Sequence, residues 1–238
     1  MISIIYRPFS GETEDHPYHR PNHRPHWFTK YGTFKSLMNS IRLAKDKVTK
    51  LYVLFDGHEG IFFNQIKETL PKVGVDFEMH NIHAGSVYNS VKIATQFAVT
   101  LQDNIYIVED DYFHLPEAIG KIEAALPNLG ILSGYDHLDR YVRTDDIEYR
   151  KEIKFDYPSN HHWRTSESTG HTYAVSKNLV SSISDALCSH EFTASDRELW
   201  RFLHRNNIPL WTAIPGFVTQ VDPFLSPGVN WEAHSKNV

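Results

Sequence analysis

What this sequence has little of narrows it first. Among its 238 residues is one cysteine, Cys188. It cannot form an internal disulfide, so a disulfide-stapled secreted module is excluded and a reducing compartment fits. No apolar run approaches the ~20 residues that a bilayer span needs. The start, Met1-Ile2-Ser3-Ile4-Ile5-Tyr6-Arg7, lacks the charged beginning and long apolar stretch of a signal peptide. The expectation is a cytoplasmic protein with no integral membrane segment, peripheral association remaining open. Excess positive charge is missing too: a formal net charge of -5 weighs against a nucleic-acid partner held by phosphate neutralisation. There is no Gly-x-Ser-x-Gly elbow, P-loop or Gly-x-Gly-x-x-Gly fingerprint, which removes the common serine hydrolase, ATPase and dehydrogenase readings. Cys188 lies on an apolar helical stripe, a poor setting for a thiol nucleophile.

The bulk composition is globular, 41% hydrophobic and 22% charged, which argues against a disordered or fibrous chain. The length suits one α/β domain over 1–238 with a sizeable core. Histidine is abundant, with 15 residues, and several cluster between His16 and His26, punctuated by Pro17, Pro21 and Pro25. Prolines so spaced block helix and interior strand, so the segment reads as a loop. Its histidine spacing matches no standard zinc site; a solvated or substrate-covering loop and a metal nest both remain open.

Two periodicities alternate along the first half. Ile2–Tyr6 and Leu51–Phe55 are short apolar runs suited to buried strands, the second ending at the turn signal Asp56-Gly57. Between them Phe34, Leu37, Met38, Ile41 and Val48 recur at helical spacing. Ile61–Leu70 reads as a helix and Val75–Ile82 as a strand. Val87, Val91, Ala94, Ala98 and Leu101 form another helical stripe with Ser86 as its N-cap. Ile105–Val108 is a fourth strand that runs into Glu109-Asp110-Asp111, with a helix expected after it carrying Leu115, Ile119, Ile122 and Leu126 on one face. Such alternation predicts a mostly parallel sheet covered by helices on both faces, binding its ligand beyond the carboxyl ends of the strands. The second half is irregular: Gly130–Ser133 and His171–Val175 read as strands, Leu179, Ile183 and Leu187 as a helix, another helix starts near Ser195, and strands lie within Pro209–Val221.

Three adjacent carboxylates after a buried strand repel one another, and desolvation raises that cost. A divalent cation relieves it: Mg2+ and Mn2+ favour oxygen ligands and take one or two carboxylates together with substrate phosphates. A solvated acidic turn capping the next helix is the other explanation. On extended backbone Glu109 and Asp111 share a face while Asp110 points away.

Val108-Glu109-Asp110-Asp111-Tyr112 resembles the DXD-type motif of GT-A (Rossmann-like) glycosyltransferases, and its Glu-Asp-Asp form resembles the N-acetylglucosaminyltransferase I branch in particular. Ile4-Ile5-Tyr6-Arg7-Pro8 is similar to the first strand and turn of that fold, where the nucleotide base sits. Val53-Leu54-Phe55-Asp56-Gly57 is similar to its second strand, and His83-Ala84-Gly85-Ser86 to the segment before the donor-contacting helix. The likeness is an ordered pattern over about residues 2–125 and scattered afterwards. It departs in Arg7, where many members carry Asn, and in the histidine-rich insertion. The resemblance implies a nucleotide-sugar-binding half (1–125) and an acceptor-binding half (126–238). It implies a nucleotide diphosphate sugar donor held by Tyr6, Arg7, Asp56, His83, Glu109 and Asp110, with Asp110 on the ribose. Mn2+ or Mg2+ would sit on Asp111, and His234 is the candidate for a further ligand, an exposed terminal histidine being the alternative.

In the second half Ser195-Asp196-Arg197-Glu198 is a capping box, which explains Glu198. Asp196 favours a helix N-terminus through the dipole; by the resemblance it stands where inverting enzymes place the catalytic base. Trp163, His171, Tyr173 and Trp211 are candidates for a sugar platform or for core, with Trp163, in Asn160-His161-His162-Trp163-Arg164, expected to be exposed and, with His171, to meet a carbohydrate or other hydroxyl acceptor. Two further readings stay open: a metal-dependent hydrolase or phosphodiesterase using loop histidines, and a non-catalytic sugar- or nucleotide-binding protein.

Overall fold

Strand β1 (Ile2–Arg7) is buried at every residue and lies inside the central sheet of the computed structural model, which describes residues 1–11, 24–101, 103–138, 141, 155–168, 170–190 and 196–238. Helix α1 (Lys30–Leu43) follows, capped by Thr29, whose hydroxyl accepts from Gly32 N at 2.9 Å. Phe34, Leu37, Met38 and Ile41 form its buried stripe. Val48, seven residues beyond Ile41 and so in phase with that stripe, instead opens β2 (Val48–Asp56), because a 3-10 turn over Lys45–Lys47 ends the helix first. Helix α2 (Ile61–Thr69), β3 (Phe77–Ile82), α3 (Val87–Thr100) and β4 (Asn104–Glu109) follow in the expected order. Ser86 caps α3 as read from the sequence, its side chain accepting from Asn89 N.

The stretch after the acidic run departs from expectation. Tyr112–His114 forms a short strand, β5, and helix α4 begins only at Ala118 and runs to Leu129. Pro116 holds Leu115 out of the helical region, and the Leu115 N–H bonds Phe217 O at 2.9 Å, continuing the ribbon with β11. The remaining elements are β6 (Ile131–Ser133), β7 (Phe155–Asp156), β8 (His162–Thr165), β9 (Tyr173–Val175), α5 (Lys177–Leu187), α6 (Asp196–Arg205), β10 (Trp211–Ile214), β11 (Val218–Gln220) and α7 (Trp231–Ser235).

Among the described residues nine strands form one sheet in the order β3-β2-β1-β4-β9-β6-β10-β8-β7, and β11 pairs with β5 in a separate ribbon. Only β8 and β9 run against the rest, so the sheet is mostly parallel. From β1 the chain steps outward to β2 and β3, then α3 carries it back across to β4 on the other side of β1. The strand order therefore reverses between β1 and β4, and Arg7 and Glu109 stand opposite each other at that point. One core packs α1, α2 and α4 against one face; the other packs α3, α5 and α6 against the opposite face.

His114 is sealed inside this arrangement. Tyr106 OH lies 2.9 Å from Nε2 and the Tyr112 carbonyl 3.2 Å from Nδ1, a pairing met by a neutral ring that donates from Nδ1 and accepts at Nε2. Burial pushes its pKa down to about 3. The unfolded chain, titrating near 6.5, takes the proton first, so this contribution to stability is complete above pH ~6.5 and falls away as pH drops toward 3. About 2 kcal/mol should be lost by pH 5. Urea unfolding at pH 7 and pH 5 should show that deficit shrinking in His114→Gln; equal deficits in both proteins would assign the acid sensitivity to other groups.

Candidate functional site

A cleft of about 690 Å³ opens at the carboxyl ends of β1, β2 and β4, where doubly wound sheets bind ligands. At the end of β1, Arg7 is buried; its Nη1 lies 3.5 Å from the Glu109 carboxylate and its Nη2 donates to Ser90 Oγ on α3 at 3.2 Å. At the end of β2, buried Asp56 accepts the Ala84 N–H at 3.0 Å. That bond ties β2 to the turn carrying His83, Gly85 and Ser86, which line the cleft with Val87 at the start of α3. Gly57 is required beside Asp56: its φ is +112°, and an added Cβ would lie 2.0 Å from Ser10 Oγ.

Glu109, Asp110 and Asp111 all line this cleft. Strand alternation predicted Asp110 on the opposite face, but the chain turns at Asp110-Asp111 rather than continuing extended. Each carboxylate has a basic neighbour. Asp110 Oδ2 accepts the Phe9 N–H at 2.8 Å and lies 2.9 Å from Lys30 Nζ. Asp111 Oδ2 accepts from Arg24 Nη1 at 3.3 Å and from Gln220 Nε2 at 3.1 Å. Arg24, Lys30, Phe9 and Gln220 were not picked out from the sequence. Only Lys30 left a signal there: a cation at the first residue of a helix opposes the dipole and calls for an acidic partner.

The cleft thus gathers Arg7, Asp56, His83, Glu109, Asp110 and Asp111. Tyr6 lies beneath it instead, its ring 5.4 Å from Phe34; burial, with added push from the Asp110 and Asp111 charges, raises its phenol pKa well above the usual value. His234 is exposed on α7 and does not line the cleft. Among the described residues no group of three or more His, Cys, Asp or Glu side chains is arranged to hold a metal ion. His16, His19 and His23 lie outside the described residues; His26 is exposed, 3.7 Å from Glu232.

Trp163 is a correction: it is fully buried, edge-on to Phe217 at 5.6 Å and to His161 at 5.7 Å. Polar neighbours hid an inward position on β8, and Tyr173 and Trp211 are buried as well. His171 is half-buried with φ +58°; the next residue, Thr172, accepts the Glu109 N–H at 3.1 Å, which puts His171 beside the end of β4. Asp196 is the first residue of α6, and Ser195 lies outside the described residues.

The architecture is a GT-A-like, Rossmann-like α/β fold. No protein-family model matches the chain, and no curated protein does. Among solved structures, TarS 1–349 from S. aureus is similar at 13% identity and a TM-score of 0.51, over 89% of this chain and 58% of that one. The same TarS region in complex with UDP gives 12%, 0.52, 89% and 57%. A 4-diphosphocytidyl-2C-methyl-D-erythritol synthase from Anaerococcus prevotii gives 12% and 0.51, over 99% of this chain and 94% of that one. The chain spans less than two thirds of the TarS fragment, and at these identities the likeness is one of fold.

Proposed function

We propose that the chain binds a nucleotide diphosphate sugar in the switch-point cleft and transfers the sugar to a hydroxyl acceptor, with inversion. The observation that carries this reading is the meeting of Arg7, the acidic run and the N-terminus of α3 around one cleft. Its volume lies within the range of small-molecule sites, and a helix N-terminus flanked by basic side chains suits a diphosphate. TarS, solved with UDP, shows that a fold of this kind accommodates a nucleoside diphosphate.

In this reading Asp110 bonds the ribose, and Phe9, 37% exposed at the cleft, offers a ring to the base. The acceptor oxygen attacks the anomeric carbon as the bond to the diphosphate breaks, and Asp196 takes the acceptor's proton. Mn2+ or Mg2+ fits the donor set: among the described residues five lining carboxylates, Asp56, Glu109, Asp110, Asp111 and Asp222, face three cations, Arg7, Arg24 and Lys30. Asp111 would hold the ion, and one or two protein carboxylates suffice when phosphates supply the rest. Bound there, it would stabilise the charge of the leaving diphosphate.

Calorimetric titration with nucleoside diphosphates and nucleotide sugars, with Mn2+ and then with chelator, tests the reading. One nucleotide should bind in a Mn2+-dependent way, and Asp111→Ala should lose it. Val87 is 64% exposed yet lines the cleft, so Val87→Trp should fold normally and block binding. No binding across the panel would overturn the proposal. Including CTP separates nucleotidyl transfer, the chemistry to test first if a triphosphate binds instead, given the fold shared with the synthase.

A further inference from the structure

Asp111 has a cation of the chain's own. Arg24 Nη1 reaches its Oδ2 at 3.3 Å and the Val221 carbonyl at 2.8 Å, while the guanidinium carbon lies 4.3 Å from the Phe28 ring centroid. Among the described residues the three basic side chains of the cleft differ in how firmly they are placed. Arg7 issues from a central strand with a side chain only 5% exposed. Lys30 sits at the start of α1 and bonds both Asp110 and the Phe9 carbonyl. Arg24 precedes α1, its side chain is 18% exposed, the most of the three, and its Nη1 meets Asp111 Oδ2 at 3.3 Å, longer than the closest charge-assisted bonds. It is the one best able to change partners.

A phosphate competes for a guanidinium on better terms than a lone carboxylate oxygen, because its oxygens match the planar fork. Removing Arg24 from Asp111 would leave that carboxylate without this cation in an acid-rich cleft. We infer that Arg24 is the cation held on Asp111 until a diphosphate draws it away, so that Arg24 becomes a phosphate ligand of the donor and a divalent cation occupies Asp111 only when the diphosphate is present. The inference rests on the cleft taking a nucleotide diphosphate, and it goes further by assigning Arg24 to that group and by fixing the order of binding.

The test titrates Mn2+ alone, read from the free-ion paramagnetic resonance signal, into wild type and Arg24→Gln. The variant should bind Mn2+ without any nucleotide at least 10-fold more tightly than wild type, and Asp111→Asn in the same background should remove the gain. With Mn2+ present, Arg24→Gln should weaken binding of inorganic pyrophosphate by about 10-fold. Arg24→Lys, which keeps the charge, should leave Mn2+ affinity near wild type. Thermal melts of both variants check that the fold survives the substitution.

Unchanged Mn2+ affinity in Arg24→Gln, a gain that survives Asp111→Asn, or unchanged pyrophosphate affinity would each overturn the inference. Nucleotides that bind wild type and both variants alike would sink it while the donor site stands. The predicted Mn2+ and pyrophosphate shifts with no nucleotide bound would keep Arg24 in its role and remove the nucleotide-sugar reading.

Discussion

Asp136→Ala should lower the unfolding free energy by about 3–5 kcal/mol, since it strips a buried charge of its partner. Asp136 is fully buried three residues beyond β6, and Arg164 on β8 donates to its Oδ1 at 2.7 Å. The Tyr141 hydroxyl donates to the other oxygen at 2.5 Å, and its pKa is raised by burial and by that bond. The Asp136 N–H in turn bonds Ser226 Oγ at 3.0 Å. The carboxylate therefore joins β8 to the segment that follows β6, and the backbone N–H of the same residue reaches the segment after β11. With alanine there, Arg164, only 8% exposed, keeps its charge and loses its carboxylate; its Nε already lacks a hydrogen-bond partner among the described residues. Such a loss is a large fraction of the ~5–15 kcal/mol that domains possess. Urea unfolding of Asp136→Ala, Arg164→Met and the double variant measures it. The double variant should be less destabilised than the sum of the singles, because removing both charges leaves neither orphaned. A loss below ~1 kcal/mol in Asp136→Ala would mean that water reaches Arg164 and that the pair fastens little.

The first half of this fold was legible because β1, β4 and the Leu51–Phe55 part of β2 are nearly unbroken apolar runs and the helices between them carry clear stripes. β1 and β4 are buried on both faces, and Phe34, Leu37, Met38 and Ile41 mark α1. The position of the acidic run at the end of β4 was legible for the same reason. What the sequence hid is pairing at a distance. Arg24 and Asp111 are 87 residues apart, and nothing periodic links a loop arginine to a turn aspartate. The second half resisted reading because its strands are two to four residues long, shorter than the window over which a period of two can be recognised. β9 is also slotted antiparallel between β4 and β6, an insertion that local pattern does not encode. Trp163 shows the consequence: polar neighbours on a short strand made a core residue look exposed.

Asp196→Asn should lower kcat by about 10²- to 10⁴-fold if Asp196 is the proposed base, with the donor dissociation constant almost unchanged. The same residue has a competing structural explanation, an acid at the first position of α6 favoured by the helix dipole. The two roles separate cleanly. Loss of the dipole interaction costs at most ~1 kcal/mol of stability and leaves turnover intact, and asparagine is itself tolerated at helix starts. Loss of a base leaves stability intact and removes turnover, together with the acidic limb of the pH–rate profile. The fold makes the catalytic role testable. Leu199 and Leu203 of α6 pack in the same core as Ala94 of α3, so α6 belongs to the face of the sheet whose helix α3 opens onto the cleft. The stereochemistry of the product adds an independent reading by NMR of the anomeric proton. Inversion together with a collapsed kcat in Asp196→Asn would give the proton's destination; retention with an undiminished kcat would return Asp196 to the helix and require a different mechanism at the same cleft.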